Sequence, residues 1–197
     1  MAKKEATLFQ LALVLVLITA IAGAGLAAVY FITKEPIEES QTKKKENAIA
    51  LVLPDYKGGE LKDTTITIEG GKDSVIIHLA YQDDELYGAA VETYTDKAFS
   101  GSFQIMVGFD VNGNILGTEV LKMAETPGLG DKIDKSKSDF PKQFVTKNPA
   151  NYQLRVKKDG GDVDAITAAT ISSRAFCDAV QRAYNGFIKV KEENSYE

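Results

Sequence analysis

Asp164-Ala165-Ile166-Thr167-Ala168-Ala169-Thr170-Ile171-Ser172-Ser173 lies between a glycine loop, Lys157-Lys158-Asp159-Gly160-Gly161, and the longest amphipathic pattern beyond the amino-terminal end. Ile171, Ala175, Phe176, Ala179, Val180, Ala183, Tyr184, Phe187 and Ile188 recur in steps of three and four, which puts them on one face of a helix. Small and hydroxyl residues therefore occupy the helix start. Backbone N–H groups lack partners there, and the helix dipole favours an anion. Ser and Thr add donors and Ala adds little bulk, so a phosphate can approach the backbone. The same residue types are ordinary helix caps, and these residues alone leave both readings open.

Upstream of this helix the period changes. From Thr64, Thr65-Ile66-Thr67-Ile68 alternates and meets a Gly70-Gly71 break. Val75, Ile77, Leu79 and Tyr81 share one face of a second strand, and Leu86 to Thr95 reads as a third. Phe103, Ile105, Val107 and Phe109 share a face of a fourth, and Ile115 to Lys122 forms a fifth. Asn112-Gly113 between the last two is a strong hairpin signal. Leu154-Arg155-Val156 reads as a later strand. Helices are expected over Lys43–Leu53, stopped by Pro54, and briefly near Pro141–Val145. The fold class is α+β: one antiparallel sheet with helices packed on it.

At the amino end, Lys3 and Lys4 precede an apolar run from Ala6 to Ile32, interrupted only by the uncharged Thr7, Gln10 and Thr19. About 20 apolar residues cross a bilayer, whereas the apolar part of a signal peptide is only about 7–15 long. A retained single-pass anchor over residues 1–33 is expected, then a connecting helical segment over 34–63 and a domain over 64–197. Ala20, Ala24 and Ala28, with Gly23 and Ala27 beside them, let another helix approach closely; they equally make an Ala-rich anchor facing lipid. Lys34 and Lys43-Lys44-Lys45 offset Lys3 and Lys4, so charge does not fix the orientation.

Composition removes several classes. A single cysteine, Cys177, allows no internal disulfide and no self-contained iron–sulfur cluster, which needs about four thiolates. Cys177 reads as a small buried hydrophobe. The single histidine, His78, has no His/Cys grouping around it to build a zinc site, and reads as a packing residue in a strand. An electron carrier, if there is one, is organic. Without Lys3, Lys4 and Glu5, the 23 basic and 28 acidic residues become 21 and 27, a net charge of −6 beyond the anchor. That is a poor platform for nucleic acid. The Lys43–Lys45 run reads as a solvated face near the membrane surface; a contact with lipid headgroups is the weaker reading, since such recognition takes a cluster of about four or more basic residues.

The second informative stretch is Glu125-Thr126-Pro127-Gly128-Leu129-Gly130-Asp131. Pro127 and Gly128 predict the central pair of a type II turn, and the glycines allow a ligand near the backbone. No Gly-Lys-Ser/Thr follows, so this is not a P-loop.

Together the two stretches carry a resemblance. Asp164, Thr167, Ala168, Ala169 and Thr170 resemble the Asp-x-x-(Ser/Thr)-(Gly/Ala)-Ala-Thr flavinylation motif of the FMN-binding domain family. Glu125 to Gly130 resembles that family's second signature. The family includes flavin subunits of ion-translocating membrane complexes, among them the G-subunit branch of Rnf complexes and the C-subunit branch of sodium-pumping quinone reductases. The short chain is nearer the former. Ala168 stands where many members have Gly. The resemblance implies one FMN, covalently joined by a phosphoester to Thr170 (a phosphoryl threonine), with Asp164 and Thr167 at the motif's other fixed positions. It implies a flavin site completed by Ala168, Ala169, Ser172 and Ser173 and lined by Glu125, Thr126, Gly128, Leu129 and Gly130.

An unactivated hydroxyl is a poor nucleophile, so an external flavin transferase is an expected partner, and a flexible, small-residue segment suits its active site. Asp164 is either read by that transferase or serves as a turn carboxylate. The resemblance further implies an electron-carrying subunit between ferredoxin and NAD, coupled to Na⁺ or H⁺ transport. Other membrane subunits are its partners, and its domain lies outside the cytoplasm. A flavin subunit of another membrane redox chain and a non-redox anchored binding module remain the alternatives.

Overall fold

A computed structural model describes residues 7–67 and 74–194. Lys3, Lys4, Ile68 and the Gly70-Gly71 break lie outside the described residues. The chain divides into two units, Met1–Lys44 and Lys45–Glu197.

The described part of the first unit belongs to helix α1, Leu8–Val52. Its most apolar window has a mean hydropathy of 2.6, and that window is fully exposed. A helix that is apolar on all sides along an exposed window matches a bilayer's interior, so α1 fits a membrane anchor. The separate helix expected over Lys43–Leu53 is the end of α1. Lys34 and Glu38 are an i,i+4 pair 3.9 Å apart, and the charged stretch holds no glycine to stop the helix. Pro36 sits inside α1, where its missing N–H leaves the Ile32 carbonyl without its helical donor. The helix ends at Val52, two residues before Pro54.

The second unit is built on five antiparallel strands in sequence order: β1 Glu60–Ile66, β2 Val75–Gln82, β3 Glu85–Ala98, β4 Gly101–Asp110 and β5 Ile115–Lys122. β1 begins before Thr64 because Glu60, Leu61, Lys62 and Asp63 already pair with Tyr81, Ala80, Leu79 and His78. This is an exposed edge strand, and its charges hide the alternation. His78 Nδ1 lies 2.6 Å from Asp63 Oδ1 across that pair. Asn112-Gly113 does turn β4 into β5. Gly113 adopts φ 83°, and Asp110 Oδ1 accepts from the N–H groups of Asn112 and Asn114 at 2.8 Å each.

Both faces of the sheet are covered. Helix α2, Thr170–Asn194, lays Ala175, Phe176, Ala179, Val180, Ala183 and Phe187 on one face, against Ile77, Val91, Phe103, Ile105, Val107 and Phe109. Phe109 and Phe187 stack with centroids 5.3 Å apart. The other face carries Ala80, Ala90, Met106 and Leu121 beneath Ala48, Val52 and Leu53. There Gly108 pairs with Gly117, and a Cβ on Gly108 would fall 2.0 Å from the Val52 carbonyl oxygen, so the end of α1 rests on bare backbone.

Between β5 and α2 the chain runs through short 3-10 turns at Gly130–Ile133, Phe140–Phe144 and Lys157–Asp159. The first of these holds Ile133 and the second Phe140 and Phe144, all buried at the core's margin. The short helix expected near Pro141–Val145 is the middle 3-10 turn. Leu154-Arg155-Val156 is not a strand: Val156 forms only an isolated parallel bridge with Val163, and a 3-10 turn begins at Lys157.

Candidate functional site

Three segments meet at the amino end of α2. They are the turn between β3 and β4 at Phe99, the loop Glu125–Gly130 after β5, and Ala168–Ser172 at the start of the helix. Together they line a pocket of about 310 Å³.

Its loop is the turn that Pro-Gly predicts. The Leu129 N–H donates to the Thr126 carbonyl at 3.2 Å, and Gly128 adopts φ 77°, the sign a type II turn requires at this position. Glu125 ties the three segments together from inside. One carboxylate oxygen accepts from the N–H groups of Phe99 at 2.9 Å and Ser100 at 3.4 Å, and the other accepts from the Ser172 hydroxyl at 3.0 Å. Gly130 makes room for this join: a Cβ there would lie 2.2 Å from Glu125 Oε2 and 2.6 Å from Ser172 Oγ.

The helix start is equally determined. The Ala169 N–H turns back to the Ile166 carbonyl at 3.0 Å, and Ser173 returns the first helical N–H to the Ala169 carbonyl at 3.0 Å. The Ser173 hydroxyl also donates to Ala169 O at 3.0 Å and accepts from the Ile166 N–H at 2.9 Å. The N–H groups of Thr170, Ile171 and Ser172 thus stand in the first turn, outside the helical ladder. Ala168 adopts φ 62°, a left-handed conformation that disfavours a Cβ.

The hydroxyls divide sharply. Ser172 and Ser173 are buried and committed to Glu125 and to the backbone. Thr170 is half-buried at the pocket, and among the described residues its hydroxyl has no hydrogen-bond partner. Around it Phe99, Ile171 and Leu129 are 67%, 46% and 41% exposed although all line the same hollow. Ile171 therefore departs from the core face of α2 on which the helical spacing puts it.

Asp164 and Thr167 do not reach this pocket. They line a separate hollow of about 390 Å³ with Lys132, Ser138 and Gln143. The exposed Asp164 carboxylate pairs with Lys157 at 2.8 Å. The Gln143 amide holds the Asp164 backbone from both sides: Oε1 accepts its N–H at 2.8 Å and Nε2 donates to its carbonyl at 3.1 Å. With Ser173 holding Ile166, the segment expected to be flexible is fastened at several points.

A larger open cleft of about 1070 Å³ lies along α2 by Tyr152, Arg155 and Cys177. Its charges are mostly neutralised in pairs: Arg174 Nε and the adjacent terminal nitrogen hold Asp159 at 2.7 and 2.8 Å, and Lys97 pairs with Asp178. The Arg174 hydrogen bond keeps the Asp159 carboxyl below its ordinary range. Burial pushes the Cys177 thiol up to about 12, as suits a core residue.

Sequence reasoning missed Phe99, Gln143 and the pocket role of Ile171. Phe99 left a signal, a large hydrophobe where the strand pattern breaks before Ser100-Gly101. Gln143 left none, because its role depends on a contact with residue 164.

Comparison with known proteins adds to the geometry. Residues 99–185 match the FMN-binding domain. The G subunit of the ion-translocating oxidoreductase complex of Salmonella typhi is 38% identical over 169 residues, 82% of each chain. The protein of the same name from Escherichia coli K12 is 38% identical over 164 residues, 80% of each chain. That of Shewanella amazonensis is 34% identical over 171 residues, 82% of this chain and 80% of the relative.

Proposed function

The chain belongs to the family of G subunits of ion-translocating oxidoreductase complexes, and from that premise we propose that it is a membrane-anchored electron-transfer subunit with one FMN esterified through its phosphate to Thr170. The observation that carries this reading is the Thr170 hydroxyl, without a hydrogen-bond partner among the described residues, in the first turn of α2 beside a pocket of exposed hydrophobes, where Ser172 and Ser173 are already bonded.

The residues suit the group. N–H groups of the first turn of α2 and the helix dipole favour a phosphate at Thr170. Phe99, Leu129 and Ile171 offer apolar cover for a flat ring, and Thr126 lies in the same lining to bond a polar edge. The volume falls at the lower end of ligand pockets, about 300–1,000 Å³. When bound, the flavin supplies one- and two-electron chemistry that no side chain here offers. The chain holds the group by Thr170, keeps its surroundings apolar, and fixes the loop against the helix through Glu125.

Ser172 and Ser173 serve the shape of the site rather than contact with the group. Asp164 and Thr167, facing outward on the opposite side of the motif, are read by the flavin transferase. The anchor carries no Asp, Glu, Lys, Arg or His between Leu8 and Ile32, so ion movement belongs to the other membrane subunits. The complex runs between ferredoxin and NAD, coupled to Na⁺ or H⁺, with the amino end of this chain cytoplasmic and its domain outside.

Thr170→Ala tests the attachment. Expressed with an active flavin transferase, the variant is expected to melt with the wild type and to show no flavin fluorescence after denaturing electrophoresis. A fluorescent band of undiminished intensity would move the attachment elsewhere.

A further inference from the structure

We propose that Glu125, beyond holding the pocket together, lowers the electron affinity of the flavin site through its charge. The proposal rests on the flavin reading above. Of the ten residues lining the pocket, Glu125 alone has an ionisable side chain, and it is 7% exposed. Its three donors, the Phe99 and Ser100 N–H groups and the Ser172 hydroxyl, are all neutral. Arg174 is paired with Asp159 and Lys97 with Asp178. Three hydrogen bonds hold the Glu125 carboxylate in the wall, close over the bare Cα of Gly130.

A charge in such a wall is screened less than one in water and acts over a longer reach. Each electron entering the pocket adds negative charge beside it, and one proton from solvent offsets only part of the charge of two electrons. Glu125 therefore opposes reduction and favours passing electrons on. Its tie does not require the charge. A glutamine would accept the two N–H groups through its carbonyl oxygen and donate its amide to Ser172 Oγ. Glu125→Gln thus separates the electrostatic role from the structural one.

The test is an equilibrium titration of the purified, flavin-loaded full chain in detergent, with dithionite as reductant and a dye of known potential. At pH 8 each flavin takes up two electrons and one proton, so the reduced ring keeps one negative charge, while dithionite is oxidised to sulfite. E125Q is expected to melt with the wild type. At a fixed potential it should show a reduced-to-oxidised ratio at least tenfold higher, about 30 mV for a two-electron couple. Ser172→Ala keeps the charge and removes a donor, so its ratio should fall below the wild-type value. Equal ratios in wild type and E125Q would overturn the proposal. So would a ratio in Ser172→Ala at or above the wild type, which decides the matter even if E125Q fails to load. A wild-type chain without flavin removes the reading on which the proposal stands, and the proposal with it.

Discussion

Ala168 holds φ at 62° with a Cβ that this conformation disfavours. The left-handed region costs an L-residue roughly 1–2 kcal/mol, and glycine avoids most of that cost while adding some unfolded-state entropy. Ala168→Gly is therefore expected to raise stability by about 1 kcal/mol, read as a higher urea midpoint at unchanged slope. A lower midpoint would show that the turn does not strain Ala168. Cys177 makes an independent prediction. Its thiol is pushed from 9.0 to about 12 in the fold, so between those values the native state binds more protons than the unfolded one. Stability from this group is fully present below pH 9.0 and falls by up to about 1.4 kcal/mol per pH unit above it. Cys177→Ser should flatten that slope. At pH 8 the native thiol should resist iodoacetamide and react only on unfolding.

Two glycines decide how elements meet. Gly130→Ala drives a methyl into the Glu125–Ser172 join, at 2.2 Å from the carboxylate, and should destabilise by about 1–3 kcal/mol and reduce flavin loading. Thermal melting and bound flavin per chain are the readouts; unchanged values in both would mean that the loop shifts freely. Gly108→Ala, which meets Val52 on the opposite face, should destabilise similarly while leaving the pocket residues in place. Neither contact was legible in the sequence, because each depends on which element lies on which face. The elements themselves were more legible. Val75, Ile77 and Leu79 alternate with a clear period of two and are buried, as are Phe103, Ile105 and Val107. The first half of β1, Glu60 to Asp63, was hidden because an exposed edge tolerates charge. Leu154-Arg155-Val156 misled because its hydrophobes fill a core margin without pairing along a strand. At the site, the Pro127-Gly128 turn was legible by residue type, and the end of the other motif, Thr170, lies in the pocket wall. The split between Thr170 and the outward Asp164 and Thr167 arises from the Ala168 turn and the Gln143 clamp, which a linear motif does not reveal.

At the scale of the whole molecule, the chain falls into an apolar helical unit and a folded unit from Lys45 onward. The covered faces of the sheet use residues from Ala48 on, so the fold of the second unit does not need the anchor. A chain of residues 45–197 should be soluble without detergent, and it should melt cooperatively and accept flavin from the transferase. Aggregation of that fragment, with no cooperative melt, would put the anchor within the folding unit. The proposed function puts one covalently held flavin on this domain. It is tested most directly by the intact mass of the full chain purified from its native host, with fluorescence of the same sample after denaturing electrophoresis. A mass increase matching one esterified FMN and a fluorescent band at the chain's position are expected, with the modified peptide containing Thr170. An unmodified mass and a dark band, from a host with an active flavin transferase, would contradict it.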